Sequence, residues 1–246
     1  MASEKSLLLP ALVLAVGIAT GAGLLGSQLK NLRQPGEITV KGLAEENYQA
    51  DSAEWKLSMA LHYPDYATSV AGLKRNVPIV TNFLKSQGFS DDEMRIENPS
   101  IEIHRKEIYE NDRYRYVDDG YNATQSVLVN TKDLKKLKQA YDAALNFRAE
   151  QVGFRFDEPQ YLLDNLEEIK HSLIAKATQD AQRRAEEFAK TGNGKVGAMK
   201  SASQGSFNIY SDSIADNDDG DYGGTYSKST VGKRVRLVVT VKYGIE

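Results

Sequence analysis

Residues 119–145 read DGYNATQSVLVNTKDLKKLKQAYDAAL, and this stretch indicates the fold class. It contains a turn, a run rich in β-branched residues, a candidate N-cap at Thr131 and a helix over about 132–147. No catalytic motif is visible in it. The stretch therefore predicts a strand that leads directly into a capped helix, with a structural role.

The flanking segments extend this pattern. In residues 52–63 the side chains of Trp55, Leu57 and Met59 alternate with polar ones, as expected of a strand with one covered face. The other predicted strands are 37–42, 94–109, 114–130, 150–157, 195–208 and 231–243. The predicted helices are 65–86, 132–147 and 160–190. Hairpins with helices beside them predict an α+β fold, in which helices pack on one face of an antiparallel sheet.

Two helices carry further expectations. Pro78 should kink or interrupt the first, because proline lacks the N–H that an α-helix uses. In the longest helix an apolar stripe runs through Leu173, Ala177, Ala181 and Phe188, which predicts that these side chains are buried.

The amino-terminal segment is uncharged and apolar. Residues 6–26 read SLLLPALVLAVGIATGAGLLG, and 21 residues in a helix span about 31 Å, the thickness of a bilayer core. The length favours an uncleaved membrane anchor, and a cleaved secretory signal is the alternative. We therefore divide the chain into an anchor and linker over 1–35 and a globular domain over 36–246.

Composition limits the possible functions. The chain of 246 residues has a net charge of −3 and no cysteine. A mildly acidic surface argues against nucleic acid as the main partner. The lack of cysteine excludes disulfides, thiolate nucleophiles and cysteine-ligated metals.

One aromatic cluster is the candidate binding surface. The stretch YENDRYRYVDDGY (109–121) interleaves tyrosine with arginine, and both residue types are enriched in protein interfaces. Neighbouring aspartates disfavour a nucleic-acid ligand, and a plain exposed hairpin is the alternative. The predicted interface residues are Tyr109, Tyr114, Arg115 and Tyr116.

Four other motifs are better explained by structure. GNGKVG (192–197) follows a predicted helix, so it indicates a helix stop and not a dinucleotide site. Glu168 and His171 form a single E-x-x-H pair without a second pair to complete a di-metal site. The acidic loop 211–225 lacks EF-hand spacing, although weak divalent-ion binding there stays open. Lys132, Lys135 and Lys136 fit a solvated helix face, with anionic headgroups as the alternative partner. We predict no cofactor and no catalytic residue.

The order of several segments resembles the SIMPL-domain family of bacterial periplasmic immunogenic and oxidative-stress-defence proteins. These segments are ITVKG, ADSAEW, SQGFSDDEMRI, GYNATQSVLVNTKDL, VGFRF, GNGKVG and VRLVVTVKYGI, and the resemblance covers residues 36–246. It implies a domain of unknown function outside the bacterial inner membrane, without agreed catalytic residues, and homo-oligomers in some members.

Together these observations predict a non-enzymatic interaction module. We expect a single-pass protein of the bacterial inner membrane with a periplasmic domain that self-associates and is linked to envelope or oxidative stress. The alternatives are secretion to the periplasm after signal cleavage, and a ligand- or divalent-ion-binding role.

Overall fold

The computed structural model describes residues 13–24, 36–110, 112–212 and 226–246. The helices are α1 (13–24), α2 (Tyr66–Ser86), α3 (Leu134–Glu150) and α4 (Leu166–Thr191), with a 3-10 turn at Asp91–Glu93. The strands are β1 (Glu37–Gln49), β2 (Ser52–Tyr63), β3 (Met94–Ile96), β4 (Ser100–Glu110), β5 (Arg113–Thr131), β6 (Phe154–Phe156), β7 (Gln160–Leu162), β8 (Val196–Ser211) and β9 (Gly232–Ile245). The α+β class is confirmed, and the strands form two sheets.

The chain divides into two compact units. The larger contains residues 43–176 and 205–238. The smaller takes its described residues from 1–42, 177–204 and 239–246.

The larger unit is built on a six-stranded antiparallel sheet. Its strand order is β3-β5-β2-β6, with β4 also paired to β5 and β7 to β2. The long β2–β5 ladder runs from Ala53 opposite Thr131 to Tyr63 opposite Tyr121. Alternate residues of β2 face the core, and Trp55 and Leu57 are fully buried, as the period-2 pattern predicts.

Helices α2 and α3 cover one face of this sheet. Their apolar side chains join the inward residues of β2, β5 and β6 in one core. The buried members are Ala53, Trp55, Leu57, Met59, Val80, Leu84, Phe89, Val127, Val129, Leu137, Ala140, Ala144 and Phe154. The predicted packing of helices on one face is therefore observed, and the opposite face carries polar side chains.

Small residues determine the packing in the smaller unit. The second sheet has the strand order β1-β9-β8, and the smaller unit contains β1 up to Gly42, β8 up to Gln204 and β9 from Val239. Buried alanines at 177, 181, 185 and 189 recur every four residues along α4. A Cβ at Gly42 of β1 would overlap the Ala177 carbonyl, so helix and strand approach closely only because both residues are small. The prediction that Phe188 is buried was wrong: Ala185 and Ala189 continue the stripe, and Phe188 is 63% exposed.

Local signals were misread at three places. The predicted strand 94–109 is interrupted before β4, where Pro99 cannot donate to a ladder. The predicted helix 160–190 begins only at Leu166, because residues 160–162 pair with β2 as β7. The N-cap of α3 is Asp133, whose carboxylate accepts from Lys136 N, and not Thr131. α2 continues through Pro78, so the helix is not interrupted there, and the kink stays a prediction.

The described part of the amino-terminal helix lies inside the apolar stretch. Its described length is 13–24, within the predicted anchor 6–26. Among the residues with described structure, no helix is both long and apolar enough to span a bilayer. The rest of the predicted anchor and the acidic loop from residue 213 to 225 lie outside the described residues.

Candidate interaction surface

The hairpin of β4 and β5 extends beyond the sheet as a two-stranded arm. The β2–β5 ladder ends at Tyr63 opposite Tyr121, whereas β4 and β5 continue pairing to Glu110 opposite Arg113. We call residues 105–110 and 112–118 the arm. In the described part of the chain its strands pair only with each other, and its side chains are exposed on both faces except Ile108 and Val117, which are half-buried.

Three of the four predicted interface residues share one face of the arm. Tyr109 pairs with Tyr114 across the strands, and their ring centroids are 4.9 Å apart. Tyr116 lies opposite Glu107, two residues further along the same face. The three tyrosines are 61%, 71% and 68% exposed in sequence order. Together they form a continuous aromatic patch, which we call the tyrosine face.

The fourth predicted residue points the other way. Arg115 is the cross-strand partner of Ile108, so its side chain leaves the arm on the face opposite the tyrosines. Its guanidinium donates to Glu110 Oε2 through Nε at 2.9 Å and Nη2 at 2.5 Å. Arg115 is therefore part of an exposed ion pair and is separate from the tyrosine face.

Hydrogen bonds orient two of the phenol groups. Tyr109 donates to Asp112 Oδ1 at 3.0 Å. A hydrogen bond to the Glu107 carboxylate raises the pKa of Tyr116, because ionised tyrosine would face a negative charge. The Tyr116 hydroxyl therefore stays neutral at physiological pH, so this ring is presented uncharged to a partner.

The GNGKVG motif lies where α4 ends, as predicted. Asn193 has φ of +58°, and Gly194 N donates to Ala189 O at 2.8 Å, which caps the helix in the usual carboxyl-terminal manner. β8 begins only at Val196. The motif therefore follows a helix and precedes a strand, the reverse of a dinucleotide-binding turn.

A groove of about 720 Å³ opens beside this helix end in the smaller unit. Its walls come from the second half of α4, the helix stop and the first residues of β8 and last residues of β9. The lining residues are Gln182, Glu186, Ala189, Lys190, Asn193, Gly194, Lys195, Val196, Gly197, Met199 and Tyr243.

Tyr243 gives the groove an unusual polar group. Its side chain is 4% exposed, and within the described structure its hydroxyl has no hydrogen-bond partner. Burial, and to a lesser extent the negative charge of Glu186, raises the pKa of Tyr243. The neutral hydroxyl is therefore a donor without an acceptor. The sequence pattern places Tyr243 on a strand with alternating polar and apolar residues. It gives no signal that the hydroxyl is buried without a partner, because the nearby residues of α4, such as Glu186, are brought close only by the tertiary structure.

The remaining candidates form no reactive cluster. Glu167 pairs with Lys170, and no group of three or more His, Cys, Asp or Glu in the described ranges is arranged to hold a metal ion. Lys136 pairs with Glu93, and Lys132 pairs with Asp164 at 3.3 Å. Two of the three lysines predicted to be solvated therefore have carboxylate partners.

Comparison with known proteins identifies one family. The family model described as "SIMPL: Protein of unknown function (DUF541)" matches residues 38–243. No curated protein matches the chain.

Proposed function

Since the chain belongs to the SIMPL family, whose function is unknown, we propose that it is a membrane-tethered bacterial envelope protein that acts as a non-enzymatic interaction module and assembles with copies of itself. The observation that carries this proposal is the tyrosine face of the arm. Interfaces are enriched in tyrosine, and large aromatic residues dominate their binding energy.

The arm suits a symmetric contact between two copies. A two-fold contact uses the same patch on both partners, so the patch must complement itself. Tyrosine rings do so by stacking edge to face. The charges also allow it, because the arm combines the bases Arg105, Lys106, Arg113 and Arg115 with the acids Glu107, Glu110, Asp112 and Asp118.

The outer edge of β4 explains why the contact uses side chains. Within the described structure β4 pairs only with β5, so its other edge has free backbone groups. The charged residues of β4, which include the consecutive Arg105, Lys106 and Glu107, discourage edge-to-edge strand addition. The face of the arm is then the more favourable surface for a specific partner.

The helix α1 supports the tether. Its large apolar side chains are all exposed, between 56% and 69%: Val13, Leu14, Val16, Ile18 and Leu24. An exposed apolar helix in water is unfavourable, and a bilayer would cover it. The periplasmic location and the link to envelope or oxidative stress rest on the family resemblance alone.

Native mass spectrometry of the full-length chain in mild detergent tests both parts. The subunit mass reports whether the amino-terminal segment is retained, and the complex mass counts the copies. Tyr109→Ser/Tyr114→Ser/Tyr116→Ser should reduce the oligomer to smaller species. Tyr66→Ser is the matched control, because Tyr66 is 57% exposed but lies on α2.

Each outcome decides one part of the proposal. An oligomer that survives the triple substitution would remove the tyrosine face as the interface. A monomer in the wild type would reject self-assembly, and a subunit mass without the first residues would reject the permanent anchor.

The groove beside α4 favours a second candidate, a ligand-binding envelope protein. Its volume lies in the range of small-molecule sites, and Tyr243 and the lysines at its end could bind an apolar carboxylate. Titration with decanoate, followed by amide chemical shifts, tests this candidate. Shifts at Met199 and Tyr243 would support it, and an unchanged spectrum would reject this ligand class.

A further inference from the structure

The groove of the smaller unit lies at the end of that unit where β1 begins. Ile245 N donates to Gly36 O at 2.6 Å, so the chain enters β1 beside the last residues of β9. Lys195, which lines the groove, exchanges backbone hydrogen bonds of 2.8 and 2.9 Å with Glu246, the next residue of the chain. The entry of the chain and the groove are therefore neighbours.

This end receives the chain from the apolar amino-terminal segment. Residues 6–26 carry no charge, and residues 27–35 reach at most about 30 Å even when fully extended. With residues 6–26 in a bilayer, as proposed above, Gly36 lies within about 30 Å of the lipid headgroups. The groove is then near a supply of membrane lipid.

The charged groups of the groove favour an anion. Its lining contains one acid, Glu186, whose Oε1 accepts from Gln182 Nε2 at 3.0 Å. Lys190 and Lys195 also line the groove, and both are exposed and form no ion pair with a residue of the described ranges. The acid has a partner on its own helix, whereas both ammonium groups are available to a ligand.

Apolar side chains form another part of the lining. They come from Ala189, Val196 and Met199, and Met199 is 47% exposed although it is large and apolar. The unbranched thioether side chain of methionine moves readily and adapts to irregular partners. A hydrocarbon chain would cover these groups, whereas a free phosphate would leave them in water.

The Tyr243 hydroxyl needs an uncharged acceptor. It is buried, and among the described residues it has no hydrogen-bond partner. Burial, and then the negative charge of Glu186, raises the pKa of Tyr243. A second negative charge beside the hydroxyl would be repelled by Glu186, but an ester carbonyl accepts a hydrogen bond without carrying a charge. The groove thus offers one site for a neutral carbonyl and, at the lysines, one for an anion.

We propose that the groove binds one acyl chain of an anionic phospholipid from the adjacent bilayer. The chain lies along the apolar side chains, its ester carbonyl accepts from the Tyr243 hydroxyl, and the phosphate contacts Lys190 and Lys195. A bound lipid holds the smaller unit at the membrane surface. This inference rests on the proposed membrane tether for the source of the lipid. It also narrows the second candidate function from apolar carboxylates to acyl esters with a separate anionic group.

Native mass spectrometry of the full-length chain in mild detergent, with added lysophosphatidylglycerol, tests the proposal. The expected result is one bound lipid per chain, and palmitate and glycerol phosphate, which each supply part of the ligand, should bind more weakly. Lys190→Gln/Lys195→Gln should weaken lipid binding by at least about tenfold. Lys135→Gln/Lys138→Gln is the matched control, because it removes the same charge from exposed positions of α3 and should leave binding unchanged.

Ester and ether lipids isolate the contact with Tyr243. Tyr243→Phe should weaken binding of the ester lipid by about three- to tenfold, the loss of one neutral hydrogen bond. The ether analogue has no carbonyl and should bind wild type and variant equally. Circular dichroism confirms that the variants are folded. Equal effects of Tyr243→Phe on the two lipids would overturn the assignment of the carbonyl.

A lysophosphatidylglycerol with a diazirine on its acyl chain locates the bound lipid. Cross-links are expected in peptides that contain residues 189–199 and 239–246. Cross-links confined to residues 1–35 would mean that the lipid contacts only the amino-terminal segment, and would overturn the proposal.

The outcomes separate this inference from the proposed function. A subunit mass without the first residues would reject the tether and, with it, the bilayer as the source of the lipid. An intact chain without cross-links in the groove would reject the lipid site alone. Decanoate shifts at Met199 and Tyr243 without binding of the lipid would overturn the inference and leave the groove as a carboxylate site.

Discussion

Lys136 Nζ lies 2.8 Å from Glu93 Oε2, which ties the first turn of α3 to the 3-10 turn before β3. The two side chains are only 21% and 23% exposed. Glu93 also accepts from Thr131 Oγ1 at 2.5 Å and from Ser90 N at 3.0 Å. One carboxylate therefore receives hydrogen bonds from three segments of the larger unit.

Glu93 should make the stability depend on acid pH. Burial alone raises its pKa, but the hydrogen bonds from Lys136, Thr131 and Ser90 outweigh burial and lower the pKa to about 2. As the pH falls, the Glu93 carboxylate is protonated in the unfolded chain at a higher pH than in the folded chain. The stability that this carboxylate contributes above pH 4.5 is therefore lost as the pH falls towards 2. Glu93→Gln should lower the free energy of unfolding at pH 7 by about 2 kcal/mol. In urea titrations, the difference in free energy of unfolding between wild type and Glu93→Gln should shrink as the pH falls from 4.5 to 2.

The matched control is Glu167→Gln. Lys170 lowers the pKa of Glu167 too, but this pair is on the exposed surface of α4, where solvent screens it. Its substitution should not change the loss of stability between pH 4.5 and 2. Equal effects of the two substitutions would show that burial of Glu93 is not the cause.

The sequence predicted the parts of the fold that local periodicity controls. Trp55 and Leu57 are buried because strand residues alternate between faces, and Asn193 ends α4 because glycines and asparagine tolerate a left-handed backbone. The prediction that Thr131 is the N-cap of α3 was wrong, because Asp133, two residues later, provides a carboxylate that accepts the hydrogen bond.

The candidate sites depend on pairings that no local pattern contains. The tyrosines of the arm share a face only in the register that pairs Tyr109 with Tyr114. The same register places Arg115 on the opposite face, although its neighbours in sequence suggested one cluster.

Lys233 should make the stability rise at alkaline pH. Its side chain is fully buried, and Nζ donates to Ser227 O at 2.7 Å. Burial lowers its pKa to about 8, and Asp212 only partly opposes this. Between pH 8 and 10.5 the unfolded chain binds more protons, so the free energy of unfolding should increase with pH by up to about 3 kcal/mol.

Lys233→Met isolates this contribution. The variant keeps every tyrosine, so the pH-dependent difference between the two proteins reports Lys233 alone. Wild type should gain stability relative to the variant from pH 8 to 10.5 in chemical unfolding experiments. A constant difference over this range would mean that the ammonium group is better solvated than its burial indicates.

Gly120→Ala should destabilise the base of the arm. The substitution places a Cβ on a backbone with φ of +78° and against the Tyr63 carbonyl. Gly88 is the matched control, because its φ is +89° but its nearest neighbour, Lys136 Cδ, would be 3.7 Å from a Cβ. Gly88→Ala should cost about 1–2 kcal/mol, the strain of a left-handed residue. Thermal unfolding should show a larger loss for Gly120→Ala, and equal losses would remove the steric argument.

Tyr243→Phe tests whether the groove hydroxyl is a structural group. A buried hydroxyl without a partner costs about 1–3 kcal/mol, so its removal should leave the free energy of unfolding unchanged or raise it. Tyr226→Phe provides the contrast, because the Tyr226 hydroxyl accepts from Leu163 N at 2.8 Å. That substitution leaves an amide unpaired and should cost about 1 kcal/mol. If Tyr243→Phe is as destabilising as Tyr226→Phe in urea titrations, the Tyr243 hydroxyl has an acceptor in the folded protein and is not available to a ligand.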